Sequence, residues 1–314
     1  MSRIHEALKK AEQERSAVQP IDVVAVMHRE GETPPRRGNG AATVSAAVVS
    51  QPPAVVTRTA DSLRFTDLRA RCAHPQWRLD PNTNVFLNSG MGAHASEQFR
   101  TLRSRLYQLR GDPPIRTLLV TSSFPTEGKT FVTNNLAQAF VHQLDRRVLL
   151  VDADLRRPRL HLSLGAPFAP GLTDYLAGKA EESAIIQHGQ EGNLCFIPGG
   201  NEVTNPSELL SNGRLKTLLD HLAPVFDWVI VDSPPCLLVA DASVLADICD
   251  GVLLVVRAGS TPSEVAQRAC QELQGRRILG VVLNAVEKTH AYGAYYSDGY
   301  TYGDDHSGPN GSRN

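Results

Sequence analysis

Residues 117–130 read TLLVTSSFPTEGKT, and residues 131–140 read FVTNNLAQAF. The run that begins at Thr117 is apolar and β-branched, which is typical of a buried strand, whereas the second stretch favours a helix. A Gly-Lys-Thr triplet at 128–130 separates the two, and a phosphate-binding Walker A loop takes this position between a strand and a helix. Ser123 replaces the first glycine of that pattern, so the assignment depends on the flanking elements as well as on the triplet.

This loop carries the groups that phosphate and magnesium require. Its backbone N–H groups and the start of the following helix face bound phosphates. The Lys129 ammonium reaches the β- and γ-phosphates, and the Thr130 hydroxyl is a Mg²⁺ ligand. The sequence therefore predicts that the chain binds ATP with Mg²⁺. The residues predicted to contact the nucleotide are Ser123, Pro125, Thr126, Glu127, Gly128, Lys129, Thr130 and Phe131.

Short apolar runs alternate with helical stretches along much of the chain. The predicted strands lie at 117–123, 148–154, 194–200, 228–235, 251–259 and 278–286, and the predicted helices at 131–143, 206–223, 241–249 and 262–275. An earlier helix, capped by Ser96, is indicated by apolar residues at three- and four-residue steps from Phe99 to Leu109. This alternation predicts an α/β fold with a doubly wound, mainly parallel sheet and right-handed crossovers. Ligands of such sheets bind at the carboxyl ends of the strands.

Acidic residues end two of these strands: Asp152 and Asp154 close the run VLLVDAD, and Asp232 follows WVIV. Asp232 fits a Walker B carboxylate that holds Mg²⁺, and Asp152 and Asp154 both face the γ-phosphate if the chain stays extended. An aspartate that merely caps the next loop is the structural alternative. Arg156 and Arg157 follow, where they bind phosphate, orient the carboxylates or stay in solvent. The predicted catalytic residues are Lys129, Asp152, Asp154 and Asp232, and the predicted magnesium ligands are Thr130, Asp152 and Asp232.

Composition excludes several classes of protein. The 314 residues carry a formal net charge of -1, without the basic excess of a nucleic-acid-binding protein. The cysteines lack the C-x-x-C spacing of a zinc site, and we interpret them as reduced thiols. No apolar run approaches the roughly 18 to 20 residues that span a bilayer. Any role at a membrane therefore goes through a partner.

The chain divides into five predicted segments. Residues 1–15 predict a short amphipathic helix, which is either a frayed terminus or a docking segment. Residues 16–60, rich in Ala, Val, Ser, Gly and Pro without a period, predict a disordered linker. Residues 61–95 hold apolar residues that we expect to order against the core, although they fit neither period. The core domain is predicted at 96–287, and a flexible tail at 288–314.

The tail begins with tyrosines. The stretch AYGAYYSDGYTYGDD holds five of the chain's seven tyrosines. Interleaved Gly, Ser and Asp leave it without an apolar face, so these rings have no core to enter. A low-complexity tail that binds a partner by stacking is the alternative to a chemical role for the hydroxyls. The tyrosines are Tyr292, Tyr295, Tyr296, Tyr300 and Tyr302.

Together these motifs resemble the bacterial tyrosine kinases of capsule and exopolysaccharide synthesis, the BY-kinases, over residues of about 94–305. Beside the Walker A loop and the tyrosine cluster, the resemblance is carried by DADLR at 152–156 as the Walker A′ motif and DSPP at 232–235 as Walker B. EQFRTLR at 97–103 is similar to the family's oligomerisation motif, E-x-x-R-x-x-R. The spacing places its charges on one stripe that pairs with a neighbouring subunit, with a solvated charged face as the alternative. The charged residues are Glu97, Arg100 and Arg103.

The resemblance implies a fold and an activity. The fold is that of P-loop NTPases of the MinD/ParA-like type, and the activity is ATP-dependent autophosphorylation, in which the tyrosine tail of one subunit enters the site of the next. A phenol of pKa about 10 needs a proton acceptor to attack phosphorus at neutral pH. Asp152, supported by Asp154, is the predicted acceptor. By the same resemblance, Asn284 is expected to contact adenine.

The family also implies partners. These are other copies of the chain in a ring, a membrane-embedded polysaccharide co-polymerase that activates the kinase, and a protein-tyrosine phosphatase. Family members with a fused activator carry two membrane helices before the kinase, whereas this chain has a charged helix and a linker there. It therefore resembles the separately encoded cytoplasmic form, which is peripheral at the inner membrane through that partner and regulates polysaccharide polymerisation and export.

Two other functions share many of these motifs. One is a MinD/ParA-like ATPase switch, which dimerises on ATP and positions cargo. Those ATPases resemble K-G-G-x-G-K-T, whereas this chain has Phe124 at the position of the leading lysine. The other is a non-catalytic scaffold that binds ATP and presents its tyrosine tail. Phosphotyrosine formed on incubation with Mg-ATP distinguishes a kinase from both.

Overall fold

The computed structural model describes residues 63–87, 92–190 and 192–286. The predicted amino-terminal helix, the linker and the tyrosine tail lie outside the described residues. One sheet orders its strands β3-β4-β2-β5-β1-β6-β7, and its pairs are parallel except for the antiparallel β3–β4 pair. The strands are β1 Thr117–Ser122, β2 Arg147–Asp152, β3 Gln187–His188, β4 Asn193–Ile197, β5 Trp228–Asp232, β6 Gly251–Arg257 and β7 Ile278–Asn284.

Helices cover both faces of this sheet. In chain order, those of the described residues are α1 Phe65–Arg71, α2 Gly92–Gln108, α3 Lys129–Val141, α4 Leu160–Leu164, α5 Leu172–Leu176, α6 Glu182–Ile185, α7 Pro206–Ser211, α8 Arg214–Leu222, α9 Asp241–Ile248 and α10 Ser263–Glu272. Among them, none has both the length and the hydropathy of a membrane span.

The six predicted strands and the doubly wound, mainly parallel sheet are confirmed. The structure corrects two details. The helix predicted at 206–223 is two helices, because Gly213 takes a left-handed φ of 81° between them. Ser96 does not cap α2: the helix begins at Gly92, and the Ser96 hydroxyl donates within it to the Ala93 carbonyl at 2.9 Å.

Alternation along the strands divides the core into two layers. Leu118 and Val120 of β1 pack on one face with α2, α3 and α4, whereas Leu119 packs on the other face with α8, α9 and α10. Both faces are therefore buried, which explains why the strands are apolar throughout instead of alternating with polar residues. Polar side chains appear where the strands end, and the site lies there.

Residues 63–87, here called the strap, wrap around the β3 edge of the sheet. Phe65 and Leu68 are buried in one layer, whereas Trp77 packs edge-on against Phe196 in the other. Between them, Ala73 forms a bridge with Gln187 of β3. The strap fits neither a helical nor a strand period because a short helix of about two turns is followed by an extended path around an edge.

The strap ends against α3. The backbone N–H of Val85 donates to Asn135 Oδ1 at 2.9 Å, and Asn135 Nδ2 donates to the Thr83 carbonyl at 2.8 Å. One amide side chain of α3 thus satisfies two backbone groups of the strap. The strap is consequently fixed to the same helix that begins with Lys129.

Candidate active site

The Walker A loop spans the residues between the end of β1 and the start of α3. Thr126 and Gly128 both have positive φ, of 69° and 94°. A Cβ atom at Gly128 would lie 1.9 Å from Nδ2 of Asn284, so only glycine fits. Asn284 Nδ2 also donates to the Glu127 carbonyl at 2.9 Å. The end of β7 therefore closes over the loop.

A buried carboxylate holds the loop in shape. Glu127 is only 3% exposed, and its Oε2 accepts the Phe124 N–H at 2.7 Å. Its Oε1 accepts the hydroxyl of Thr261, which lies between β6 and α10. Arg257, the last residue of β6, adds a bond from Nη1 to the Thr126 carbonyl at 3.2 Å. The Glu127 side chain thus braces the loop, which leaves its backbone N–H for phosphate.

Three carboxylates, Lys129 and Thr130 meet at the carboxyl ends of β1, β2 and β5, which are adjacent in the sheet. Asp152 and Asp232 are partners in the β2–β5 register. The Thr130 hydroxyl donates to Asp232 Oδ2 at 2.7 Å, and Lys129 Nζ lies 2.8 Å from Asp154 Oδ2. The strand-end residues predicted from the sequence are therefore brought together, with Asp154 just past the end of β2 rather than within an extended strand.

Electrostatics in this cluster depend on burial. Burial raises the pKa of Asp152 well above its ordinary value, and the neighbouring Asp232 charge adds to the rise. Burial likewise raises the pKa of Asp232, although Lys129 opposes the rise. Burial acts to lower the pKa of Lys129, but Asp232 and Asp154 outweigh it, so the pKa is raised.

The cluster suits a divalent cation. Three carboxylates face one ammonium, so the cluster is short of positive charge when all three are ionised. Among the described residues, Asp152 Oδ1 is buried without a hydrogen-bond partner. Oxygen donors of this kind are those that Mg²⁺ prefers. The predicted ligands Thr130, Asp152 and Asp232 therefore fit magnesium.

Comparisons with known proteins show the family to which the chain belongs. The family model "Cellulose biosynthesis protein BcsQ" matches residues 120–278, just over half of the chain. Tyrosine-protein kinase YwqD of Bacillus subtilis is 36% identical over 204 residues, which cover 64% of this chain and 86% of that protein. The chain belongs to the BcsQ-like family and is a bacterial tyrosine-protein kinase. The recognition made from the motifs is confirmed, as is the enzyme class.

Other relatives agree on the kinase domain. Tyrosine-protein kinase etk of Escherichia coli K12 is 39% identical over 196 residues, which cover 62% of this chain and only 27% of that longer protein. The solved kinase domain of Escherichia coli ETK has 37% identity and a TM-score of 0.61, covering 68% of this chain and 82% of the domain. The chimerical protein CapA2B2 has 26% identity and the same TM-score, covering 71% and 100%. The predicted P-loop fold class is therefore confirmed.

In the kinase, Arg156 does not face the carboxylates that precede it. Its Nε and Nη2 donate to both oxygens of Asp241 at 2.8 and 3.2 Å. Asp241 is fully buried at the start of α9, and it also accepts the Ser207 hydroxyl of α7 at 2.5 Å. Arg156 therefore ties the Walker A′ loop to two helices on the other side of the sheet from α3.

The charged residues of α2 divide into two groups. Glu97 and Arg100 form an exposed ion pair at 3.0 Å. Arg103 instead turns towards the core and donates from Nη1 to the Ala139 carbonyl of α3 at 2.5 Å. Burial lowers the pKa of Arg103. Glu97 and Arg100 remain available at the surface, whereas Arg103 links α2 to α3 within the subunit.

Two other residues that were predicted to contact the nucleotide, Phe131 and Ser123, lie in the protein interior or against a neighbouring helix. The ring of Phe131 packs edge-on against Phe99 of α2, and the Ser123 hydroxyl is buried without a partner. The sequence missed Thr261 and Asp241, which brace the Walker A and A′ loops. Both lie far along the chain from the residues that they hold, and no motif or period in their surroundings marks them.

Proposed function

We propose that this kinase transfers the γ-phosphoryl group of ATP to tyrosines of its own tail, between subunits. The observation that carries the proposal is the convergence of Lys129 and Thr130 with three buried carboxylates at the ends of adjacent strands. The acceptors are the tail tyrosines Tyr292, Tyr295, Tyr296, Tyr300 and Tyr302. The chain carries both a P-loop site and a tyrosine-rich segment, which supports an acceptor supplied by another copy of the same chain.

Nucleotide binding follows from the loop. The backbone N–H groups from Thr126 to Thr130 bind phosphate oxygens, and the Lys129 ammonium neutralises charge on the γ-phosphate. Magnesium, held by Thr130, Asp152 and Asp232, offsets the charge of the phosphates and of the carboxylates. Asn284 contacts the loop through the Glu127 carbonyl, and we propose that it borders the base.

Asp152 is proposed as the proton acceptor. Its Oδ1 has no hydrogen-bond partner among the described residues, so a carboxylate that nearby Mg²⁺ keeps ionised can accept a hydrogen bond there. The phenol gives its proton to Asp152 as the phenolate oxygen bonds to the γ-phosphorus. The bond from that phosphorus to the bridging oxygen breaks, and ADP leaves. Asp154 supports the step by holding the Lys129 ammonium.

The setting is proposed from the family. The matched family model names cellulose biosynthesis, and cellulose is itself an extracellular polysaccharide. We place the kinase at the inner membrane through a polysaccharide co-polymerase that activates it, with a protein-tyrosine phosphatase opposing it. Subunits associate in a ring through Glu97 and Arg100 of α2, whose exposed charges suit a neighbouring copy.

Lys129→Met tests the proposal. The wild-type protein incubated with Mg-ATP should acquire phosphotyrosine, whereas Lys129→Met should acquire about 10³-fold less or none, because the γ-phosphate loses its cation. Immunoblotting and mass spectrometry of the tail measure this. ADP release without phosphotyrosine in the wild type would instead support the ATPase switch. Nucleotide binding without either product would support the scaffold.

A further inference from the structure

Phe124 presents an aromatic ring to solvent from within the Walker A loop. Its side chain is 40% exposed, yet both polar groups of its backbone are fixed. The N–H donates to buried Glu127 at 2.7 Å, and the carbonyl accepts the Ser122 hydroxyl at 2.8 Å. The backbone that carries the ring is therefore fixed five residues before Lys129, and the ring contributes little to the core.

A second exposed apolar side chain comes from the neighbouring loop. Leu238, after β5, is 54% exposed. Its loop is tied to the end of β1, because the Cys236 N–H donates to the Ser122 carbonyl at 2.8 Å. The Thr121 hydroxyl adds a bond to the Pro234 carbonyl at 2.9 Å. Both apolar side chains therefore follow adjacent strands, β1 and β5, at the carboxyl ends of the strands where the predicted catalytic residues lie.

We infer that Phe124 and Leu238 form an acceptor subsite, which binds the ring of the tyrosine whose hydroxyl is phosphorylated. The inference rests on the proposed tyrosine phosphorylation. In the tail, the tyrosine rings are the large apolar groups among Gly, Ala, Ser and Asp. A subsite for this segment must therefore hold the ring itself. Aromatic pairs in edge-on or offset contact are favourable beyond the area that they bury.

Contact with the ring would also orient the tyrosine hydroxyl. A tyrosine carries its hydroxyl at the far end of a rigid ring, so a subsite that holds the ring determines where the oxygen points. Phe124 lies in the loop that positions Lys129, and Leu238 lies in the loop that follows Asp232. The occupant is the tail of a second copy of this chain, delivered across the contact between subunits.

The test uses the full chain with all five tail tyrosines changed to Ala, so that the tail neither labels itself nor competes with the peptide through its own rings. The acceptor is a synthetic peptide of residues 290–305. Phe124→Ala should raise the peptide KM about tenfold while the Kd for Mg-ADP stays within about twofold. Phe124→Trp should restore the KM, and Leu238→Ala should raise it a few-fold. Phe168→Ala is the matched control, since Phe168 is 52% exposed and contacts His161 away from the Walker A loop.

Three results would overturn the acceptor subsite. An unchanged peptide KM in both Phe124→Ala and Leu238→Ala overturns the subsite, as does a loss of nucleotide affinity that accounts for the whole change. An equal rise in Phe168→Ala also overturns it, because the effect would then follow from any lost exposed ring. If the parent protein phosphorylates neither the peptide nor a wild-type tail, the proposed function fails first, and the subsite with it.

Discussion

Asp152 has the most altered chemistry of the site residues. It is fully buried, its Oδ2 accepts the Leu160 N–H at 3.0 Å, and its Oδ1 is unpartnered. Burial beside Asp232 raises its pKa. A carboxyl with these properties is costly to ionise, so the fold carries an energetic penalty at the place where it does chemistry.

Asp152→Asn should therefore separate stability from activity. The native state holds this proton more tightly than the unfolded chain does, so stability falls as pH rises from the ordinary value of 3.8 through the raised pKa. The amide keeps the volume without the charge. We expect a higher Tm than wild type at pH 8 without nucleotide, a flatter dependence of Tm on pH, and loss of phosphotransfer.

Scanning calorimetry from pH 4 to 9 checks this. Asp220→Asn is the control, because Asp220 lies at the surface in an ion pair with Lys216. Parallel curves of Tm against pH for wild type and Asp152→Asn would contradict the stability argument. Retained phosphotransfer would remove Asp152 as the proton acceptor.

At the scale of elements, the connection between β6 and α10 holds the Walker A loop. Thr261→Val keeps the shape of the side chain but removes the donor to Glu127, which leaves a buried carboxylate short of a partner. We expect a loss of about 1–3 kcal/mol in stability and weaker binding of nucleotide. Thr261→Ser should restore both. Chemical denaturation and titration with a fluorescent ADP analogue measure the two effects, and wild-type nucleotide affinity in Thr261→Val would show that the brace is dispensable.

The Arg156–Asp241 pair connects the Walker A′ loop to α7 and α9, and its two ends are unequal. Asp241 is fully buried, whereas the Arg156 side chain is 39% exposed. Arg156→Ala leaves a buried charge with little compensation and should cost about 3 kcal/mol. Asp241→Ala leaves an arginine that water can reach, so its cost should be smaller. Urea denaturation of both variants and of the double variant measures the coupling, and equal additive losses would exclude it.

The distance along the sequence between interacting residues explains which parts of the site could be predicted. The Walker loops and strand-end aspartates are local patterns, so residues such as Lys129 and Asp232 were found by inspection. Thr261 and Asp241 act through contacts more than eighty positions away in sequence. Arg103 follows the spacing of Glu97 and Arg100 but turns to Ala139, because a helix face is defined by its neighbours as well as by its period.

At the scale of the whole molecule, the proposed association of subunits through α2 can be tested. Glu97→Ala with Arg100→Ala removes an exposed pair and should leave the fold intact, since exposed pairs contribute about 0–1 kcal/mol. If α2 forms the contact between copies, the variant should run as a monomer and lose transfer between subunits. The matched control is Lys216→Ala with Asp220→Ala, an equally exposed pair on α8. Light scattering compares the masses, and a wild-type mass in the α2 variant would place the contact elsewhere.

Alternation along the sequence predicted the strands and their mainly parallel pairing, but not their order in the sheet. Apolar runs located six strands, and their buried character predicted parallel pairing. The two residues of β3 are too few to show a period, and their antiparallel pairing depends on the strap and on Gln187. The strap could not be predicted either, because its contacts are with residues distant in the chain.

The strap also determines how a mechanical load would travel through the kinase. Its amino-terminal part is anchored in one layer by Phe65 and at the β3 edge by Ala73, and its other end is clamped to α3 by Asn135. A pull on the chain before Leu63 would first strain the far edge of the sheet. Once the contacts of Phe65 and Ala73 had broken, tension would reach the helix whose first residue is Lys129. Force on the amino-terminal side would thus act first on the β3 edge and then on the helix that begins at Lys129.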